Sequence, residues 1–120
     1  MNKQEIEGNL IVSLTFDFSI SIVKYCEELD SIRKFPLSNQ LFRSGTGIGA
    51  NVWEAQNAES KADFVHKFKL AAKEMEESKY WLLLCDQFEF WPDPKNILNK
   101  LDEIQRIITK IIATSKKSSR

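Results

Sequence analysis

Gly45, Gly47 and Gly49, three of the chain's four glycines, fall within five residues of the stretch Arg43-Ser44-Gly45-Thr46-Gly47-Ile48-Gly49-Ala50-Asn51. Read as a loop, Gly45 to Ala50 satisfies the G-x-G-x-x-G/A fingerprint of dinucleotide-binding folds. That fingerprint carries meaning only behind a buried strand and ahead of a helix. The residues upstream, Pro36-Leu37-Ser38-Asn39-Gln40-Leu41-Phe42-Arg43, have neither period-2 alternation nor a β-branched run, so the strand is missing. No Gly-Lys-Ser/Thr follows to make a Walker A loop. Read as a helix, the stretch lies inside a regular pattern. Leu37, Leu41, Ser44, Ile48, Val52 and Ala55 recur every three or four residues, the spacing of a buried helical face. Each interior glycine costs about 1 kcal/mol relative to alanine, so such a helix needs strong tertiary contact, and missing side chains let a second backbone come close.

The same periodicity divides the rest of the chain. Leu14, Phe18, Ile22, Tyr25, Leu29 and Ile32 predict a first long helix from about Leu10 to Ile32. Phe16, Ile20 and Val23 form a second apolar face that neighbouring helices or a partner subunit must cover. Pro36 opens the glycine-bearing helix, which ends near Gln56-Asn57. Ser60-Lys61-Ala62-Asp63 resembles a capping box, and Phe64, Phe68, Ala71, Met75, Ser78, Leu82 and Cys85 then give a four-then-three bundle seam. If it continues to Phe88, this helix is about 43 Å long. Asp93 and Pro94 suit the N-cap and first residue of a last helix with Ile97, Leu101, Ile104, Ile108 and Ile111 inward. Four amphipathic helices with short connections predict an all-α, up-down antiparallel four-helix bundle. The whole chain, residues 1–120, reads as one domain with frayed ends at 1–8 and 115–120.

Composition narrows the function. Seventeen basic residues balance seventeen acidic ones, so no global field draws the protein to nucleic acid or an anionic membrane. The N-terminus lacks the order of a signal peptide, nothing approaches the ~20 apolar residues of a membrane span, and Cys26 and Cys85 read as reduced core residues. The expected location is the cytoplasm. His66 is the single histidine, which excludes a di-iron carboxylate site with its two Glu-x-x-His motifs. Nothing in the spacing brings His66 to Ser44 or Cys85 for nucleophilic catalysis. No catalytic residue, metal or cofactor is expected.

Several motifs in the second and third helices together resemble a known family. Gln40-x-x-Arg43-Ser44, Ile48-Gly49-Ala50-Asn51-x-x-Glu54-Ala55, Ser60-x-x-Asp63-Phe64 and Leu70-Ala71-Ala72-Lys73-Glu74 are similar to those of the four-helix-bundle proteins encoded in intervening sequences of bacterial 23S ribosomal RNA genes. The likeness is carried by about Phe35 to Leu84. It implies a bundle that assembles as a ring-like homopentamer, no known enzymatic activity, and a suggested association with structured RNA or DNA. Departures from the family are Gly47, where many members carry Ser, Ala55 for Gly, Asp63 for Glu, and Trp53 at a position often small or acidic.

Three residue groups are candidates for function. Gln40, Arg43, Asn51 and Glu54 form a polar stripe on the second helix. It serves either as a ligand or RNA contact or as hydrogen-bonding partner to other helices or subunits. Arg43 and Glu54 lie about 16 Å apart along the axis, too far to pair. Phe42, Gly49 and Trp53 are candidates for an oligomer interface, with packing inside the protomer as the alternative. Lys61, Lys67, Lys69 and Lys73 on the third helix, together with tail residues Lys116, Lys117 and Arg120, are candidates for nucleic-acid contact. Glu74, Glu76 and Glu77 read as an ordinary solvated face, with Lys73 and Glu77 as an i,i+4 pair. The overall expectation is a non-enzymatic homo-oligomer that binds RNA or acts as a scaffold. The alternative is a small-molecule-binding or catalytic bundle with a polar site near Arg43, Asn51 and Glu54.

Overall fold

The computed structural model describes residues 1–117 and contains five helices in chain order: α1 (Lys3–Glu7), α2 (Leu10–Ser31), α3 (Phe35–Ala55), α4 (Lys61–Cys85) and α5 (Lys95–Lys117). The glycine stretch is helical throughout, inside α3. Helix α2 packs on α3, α3 on α4, α4 on α5, and α5 returns to α2, while the backbones of the diagonal pairs stay further apart. This is the antiparallel four-helix ring expected, 51 Å along its longest axis. Its two most extensive seams both belong to α3, the helix with the smallest side chains.

The core follows the periodicities. Phe18, Ile22 and Leu29 of α2, Leu41, Ile48 and Val52 of α3, Phe68 and Leu82 of α4, and Leu101, Ile104 and Ile108 of α5 are essentially sealed from solvent. Burying side chains of this size contributes about 1.5–3 kcal/mol each, which offsets the low helix propensity of α3. Val65 takes the buried place in the first turn of α4, with Phe64 half-buried and tilted against Phe68 at 4.8 Å between ring centres.

Helix ends differ from the sequence reading in instructive ways. Helix α2 stops at Ser31, and Ile32 is its exposed C-cap. The turn beyond is a Schellman motif: the Lys34 amide donates to the Leu29 carbonyl and the Arg33 amide to that of Asp30, with Arg33 at φ 64°, a place usually given to glycine. Ser60 caps α4 through the Asp63 amide at 3.0 Å, but the Asp63 carboxylate reaches back to the Glu59 amide, so the reciprocal half of the box is displaced by one residue. Helix α4 ends at Cys85, short of Phe88, because Phe88 turns out to stack on Trp91 at 4.4 Å. Helix α5 begins at Lys95, one residue after Pro94, with the Asp93 carboxylate accepting from the Lys95 amide.

Both ends expected to fray carry helix. Asn2 and Glu5 form a complete capping box around α1, and α5 continues through Lys117. The remainder of the tail, residues 118–120, lies outside the described residues. Among the described residues no helix is long and apolar enough to cross a membrane.

Candidate functional site: the two flanks of helix α3

Toward α2, α3 presents Gly45, Gly49 and Ser38. A β-carbon built on Gly45 would lie 2.7–2.9 Å from three side-chain carbons of Ile22, and one on Gly49 would lie 3.0 Å from Ser19 Oγ and 3.1 Å from the Thr15 carbonyl oxygen. Both glycines are therefore filled by the chain's own α2. Gly49, a candidate for an oligomer interface with packing inside the protomer as the alternative, meets Thr15 and Ser19 of α2 on one side and lines the α2/α3 groove at the surface. One turn from the helix start, the Ser38 hydroxyl donates to the Cys26 carbonyl at 3.3 Å and the Cys26 thiol to the Ser38 carbonyl at 3.5 Å. Burial pushes the Cys26 thiol up from its usual value near 9 to about 11, and burial raises Cys85 as well. Both thiols are free, buried and protonated at neutral pH.

Toward α4, α3 presents polar side chains, and the stripe Gln40, Arg43, Asn51, Glu54 resolves into separate fates. Arg43 pairs with Glu77 and lies 3.5 Å from Glu74. Glu54 sits 3.5 Å from the Lys67 ammonium. Asn51 donates to the Gly47 carbonyl of its own helix at 2.9 Å, and Gln40 is exposed. Between these, the Ser78 hydroxyl donates to that of Ser44 at 2.9 Å in a fully buried pair. Glu77 also accepts from the Trp81 indole at 3.3 Å.

The reading of Glu74 and Glu77 as a solvated face is corrected. Both reach across to Arg43 because they lie beside Ser78 and Trp81 on the α3-facing edge of α4, while Lys73 is exposed on the outer side. The signal was present in the spacing Glu74, Glu77, Ser78, Trp81, a polar i, i+3, i+4, i+7 stripe beside the core seam. One oxygen of Glu74, Oε2, is buried with no hydrogen bond. It lies over Gly47, where a β-carbon would stand 3.1 Å away.

The lysine group is divided. Lys67 faces α3 and is held by Glu54, whereas Lys69 and Lys73 stand one turn apart on the outer face of α4 with exposed His66 beside them. Lys61 is exposed at the helix start. Among the described residues no group of three His, Cys, Asp or Glu side chains converges as metal ligands would.

Where α2 and α3 meet solvent there is a groove of about 380 Å³, lined mainly by Val12, Phe16, Gly49, Ala50 and Trp53. Its hydroxyls are spent: Thr15 donates to the Ile11 carbonyl at 2.8 Å and Ser19 to the Thr15 carbonyl at 3.0 Å. Glu54 at the edge is its only charged residue. Trp53 is half-buried and packs on the core. Phe16 in its wall, and Ile20 and Phe42 on the outer faces of the same two helices, are exposed by 46%, 42% and 47%, a wide apolar area for the surface of a small chain.

The fold and these seams define a four-helix bundle whose central helix is fixed by glycine on one side and by a polar clasp on the other. The sequence profile described as 23S rRNA-intervening sequence protein matches residues 7–110, and the chain belongs to that family. It is similar, at 37% identity and a TM-score of 0.80, to a crystal structure from Bacteroides thetaiotaomicron VPI-5482 described as a protein with unknown function from the S23 ribosomal protein family. The likeness covers 85% of this chain and 97% of that one. No curated protein matches the chain.

Proposed function

We propose that the protein is a non-catalytic, self-assembling bundle that works in the cytoplasm as a scaffold, with the apolar α2/α3 face buried between copies. The observation that carries this reading is the groove itself. Its walls are apolar, its hydroxyls are engaged by their own helix, and exposed Phe16 in its wall is continued by exposed Ile20 and Phe42 on the same two helices. Such a surface is stabilised by removal from water at about 25 cal/mol per Å², and it offers no group poised for chemistry. Phe42 and Trp53, the aromatic candidates from the sequence, lie on this face and serve as anchors in the proposed contact. A ring-like homopentamer, as the resemblance implies, is the assembly proposed.

Light scattering coupled to size exclusion tests the reading. An assembly larger than one chain is expected, and Phe16→Glu, which places a charge in the groove without touching the core, should shift it toward monomer. A wild-type protein that stays monomeric at high micromolar concentration would overturn it. Nucleic-acid association is the secondary reading, favoured by the exposed Lys69/Lys73 pair, which a ring would repeat. Titration with structured RNA at two salt concentrations checks it, with binding expected to weaken steeply as salt rises.

A further inference from the structure

Away from the α2/α3 face, the connection between α4 and α5 carries the most exposed large apolar side chain of the described residues, Phe90, at 89%. The loop around it is held rather than loose. The Tyr25 hydroxyl donates to the Pro92 carbonyl at 2.6 Å, Phe88 stacks on Trp91, the Lys34 ammonium lies 5.2 Å from the centre of the Trp91 ring, and Asp93 caps the start of α5. A tip fixed in this way loses little conformational freedom on binding, which favours association. The loop's own residues are acidic, Asp86, Glu89 and Asp93 with no base from residue 86 to residue 94, and the bases beside it are Lys34, over Trp91, and Lys95 at the start of α5.

The far half of α5 has the opposite character. From residue 104 to residue 117 it contains Arg106, Lys110, Lys116 and Lys117 and no acid. Interaction with the helix dipole accounts for Lys116 and Lys117 in the last turn, but not for Arg106 and Lys110 further back. Within this segment lies an open hollow of about 430 Å³ floored by Ile107 and Ile111 and edged by Lys110 and Thr114. The rigid rod of α5 separates Lys95 from Ile111 by about 24 Å, so the tip of a chain cannot reach its own hollow.

We propose that Phe90 of one copy seats in the Ile107/Ile111 hollow of a second copy, with Glu89 and its acidic neighbours against Lys110 and its basic ones. A reciprocal pair of such contacts closes an antiparallel two-fold dimer, whereas a one-sided contact is heterologous and propagates head to tail. It is separate from the α2/α3 contact and does not depend on it.

The experiment is sedimentation velocity of the full chain carrying Phe16→Glu, which removes the α2/α3 contribution. Concentration-dependent association should persist in that background. Phe90→Ala should weaken it at least tenfold with unchanged helix content, Glu89→Lys should weaken it as well, and Glu89→Lys combined with Lys110→Glu should restore it. Direct registration comes from mixing a Phe90→Cys chain with an Ile111→Cys chain under mild oxidation, where a 90–111 cross-link is expected in excess of that from a Lys24→Cys control. Association within twofold of its starting value in Phe90→Ala, or a cross-link no stronger than the control, would overturn the proposal.

Discussion

On its α2 side, α3 meets its neighbour through absent atoms; on its α4 side, through added ones. Gly45 and Gly49 allow the Ile22 side chain and the Thr15 backbone to lie where β-carbons would otherwise stand. Across the helix, Ser44, Arg43 and Glu54 bridge to Ser78, Glu74, Glu77 and Lys67. The first seam depends on shape, sealed from solvent at Gly45 and reaching the surface groove at Gly49, and at Gly45 it has little room to relax. The second depends on one sealed hydroxyl pair, Ser44 with Ser78, and on ion pairs partly open to water, each contributing roughly 0–1 kcal/mol. The glycine seam should therefore be brittle and the polar seam forgiving, although the polar one looks richer in interactions.

The sharpest way to break this contrast is Gly45→Ala. In an unpacked helix alanine would stabilise by about 1 kcal/mol. Here the new methyl group meets Cγ1, Cγ2 and Cδ1 of Ile22 at 2.7–2.9 Å, and Ile22 is fully buried, so the β-branched side chain cannot swing aside. Overpacking of this kind costs about 1–3 kcal/mol, and a net loss of about 2 kcal/mol is expected from urea unfolding. An unchanged midpoint would mean that α2 and α3 slide apart freely and that the seam is not brittle.

Alkaline pH probes the same flank by a different route. Cys26 is neutral when protonated and its folded-state value is raised from near 9 to about 11, chiefly by burial. Between these values the unfolded chain releases the proton and the folded chain keeps it. The contribution is therefore complete below about pH 9 and is lost as pH rises through about 11. Tyr25 and Cys85, both raised chiefly by burial, act with the same sign. Unfolding free energies measured from pH 8 to 11 should fall by on the order of 2 kcal/mol more in the parent than in Cys26→Ala. Parallel curves would remove Cys26 from the account.

The α4 side should respond less. Ser44→Ala removes the acceptor for the Ser78 hydroxyl, 2.9 Å away in the interior. Its cost is about 1 kcal/mol, the net worth of one hydrogen bond, partly offset by the better helix propensity of alanine. Thermal denaturation of Ser44→Ala beside Gly45→Ala compares adjacent residues on opposite flanks. A larger loss at position 44 than at 45 would reverse the ranking of the two seams.

Much of this contrast could be read from the chain, and the part that could not has a physical cause. The core stripe of α4 from Phe68 to Cys85 and the helical state of the glycines follow from period alone, because burial of an apolar face is set by spacing within one helix. Partners across helices are not. Glu74 and Glu77 resembled a solvated face until α3 placed Arg43 opposite them. Gly49 stood as an interface candidate, and the contact of its backbone with Thr15 appears only once α2 is in place. Helix α1 is five residues long, too short for periodicity to register, and its capping box at Asn2 and Glu5 is the only local sign of it. The early stop of α4 at Cys85 comes from the Phe88–Trp91 stack, a contact made by the turn and not by the helix.

The smallest expected effect lies where the two materials meet, at Gly47. It is a glycine on the polar flank, and the atoms a β-carbon would approach are Oε2, Cδ and Cγ of Glu74 at 3.1–3.3 Å, the far end of a flexible side chain. A shift of a few tenths of an ångström relieves the contact, so Gly47→Ala should be neutral or stabilising by up to about 0.5 kcal/mol once helix propensity is counted. Gly47→Ser should do slightly better despite the poorer propensity of serine, because its hydroxyl comes within reach of the Oε2 atom that is buried without a hydrogen bond. The difference between Ser and Ala at 47 should then vanish when Glu74 is replaced by Ala, a double-mutant cycle with a coupling of about 0.5–1 kcal/mol. If both substitutions at 47 destabilise as strongly as Gly45→Ala, the polar flank is as tightly packed as the bare one, and the distinction between the two sides of α3 is lost.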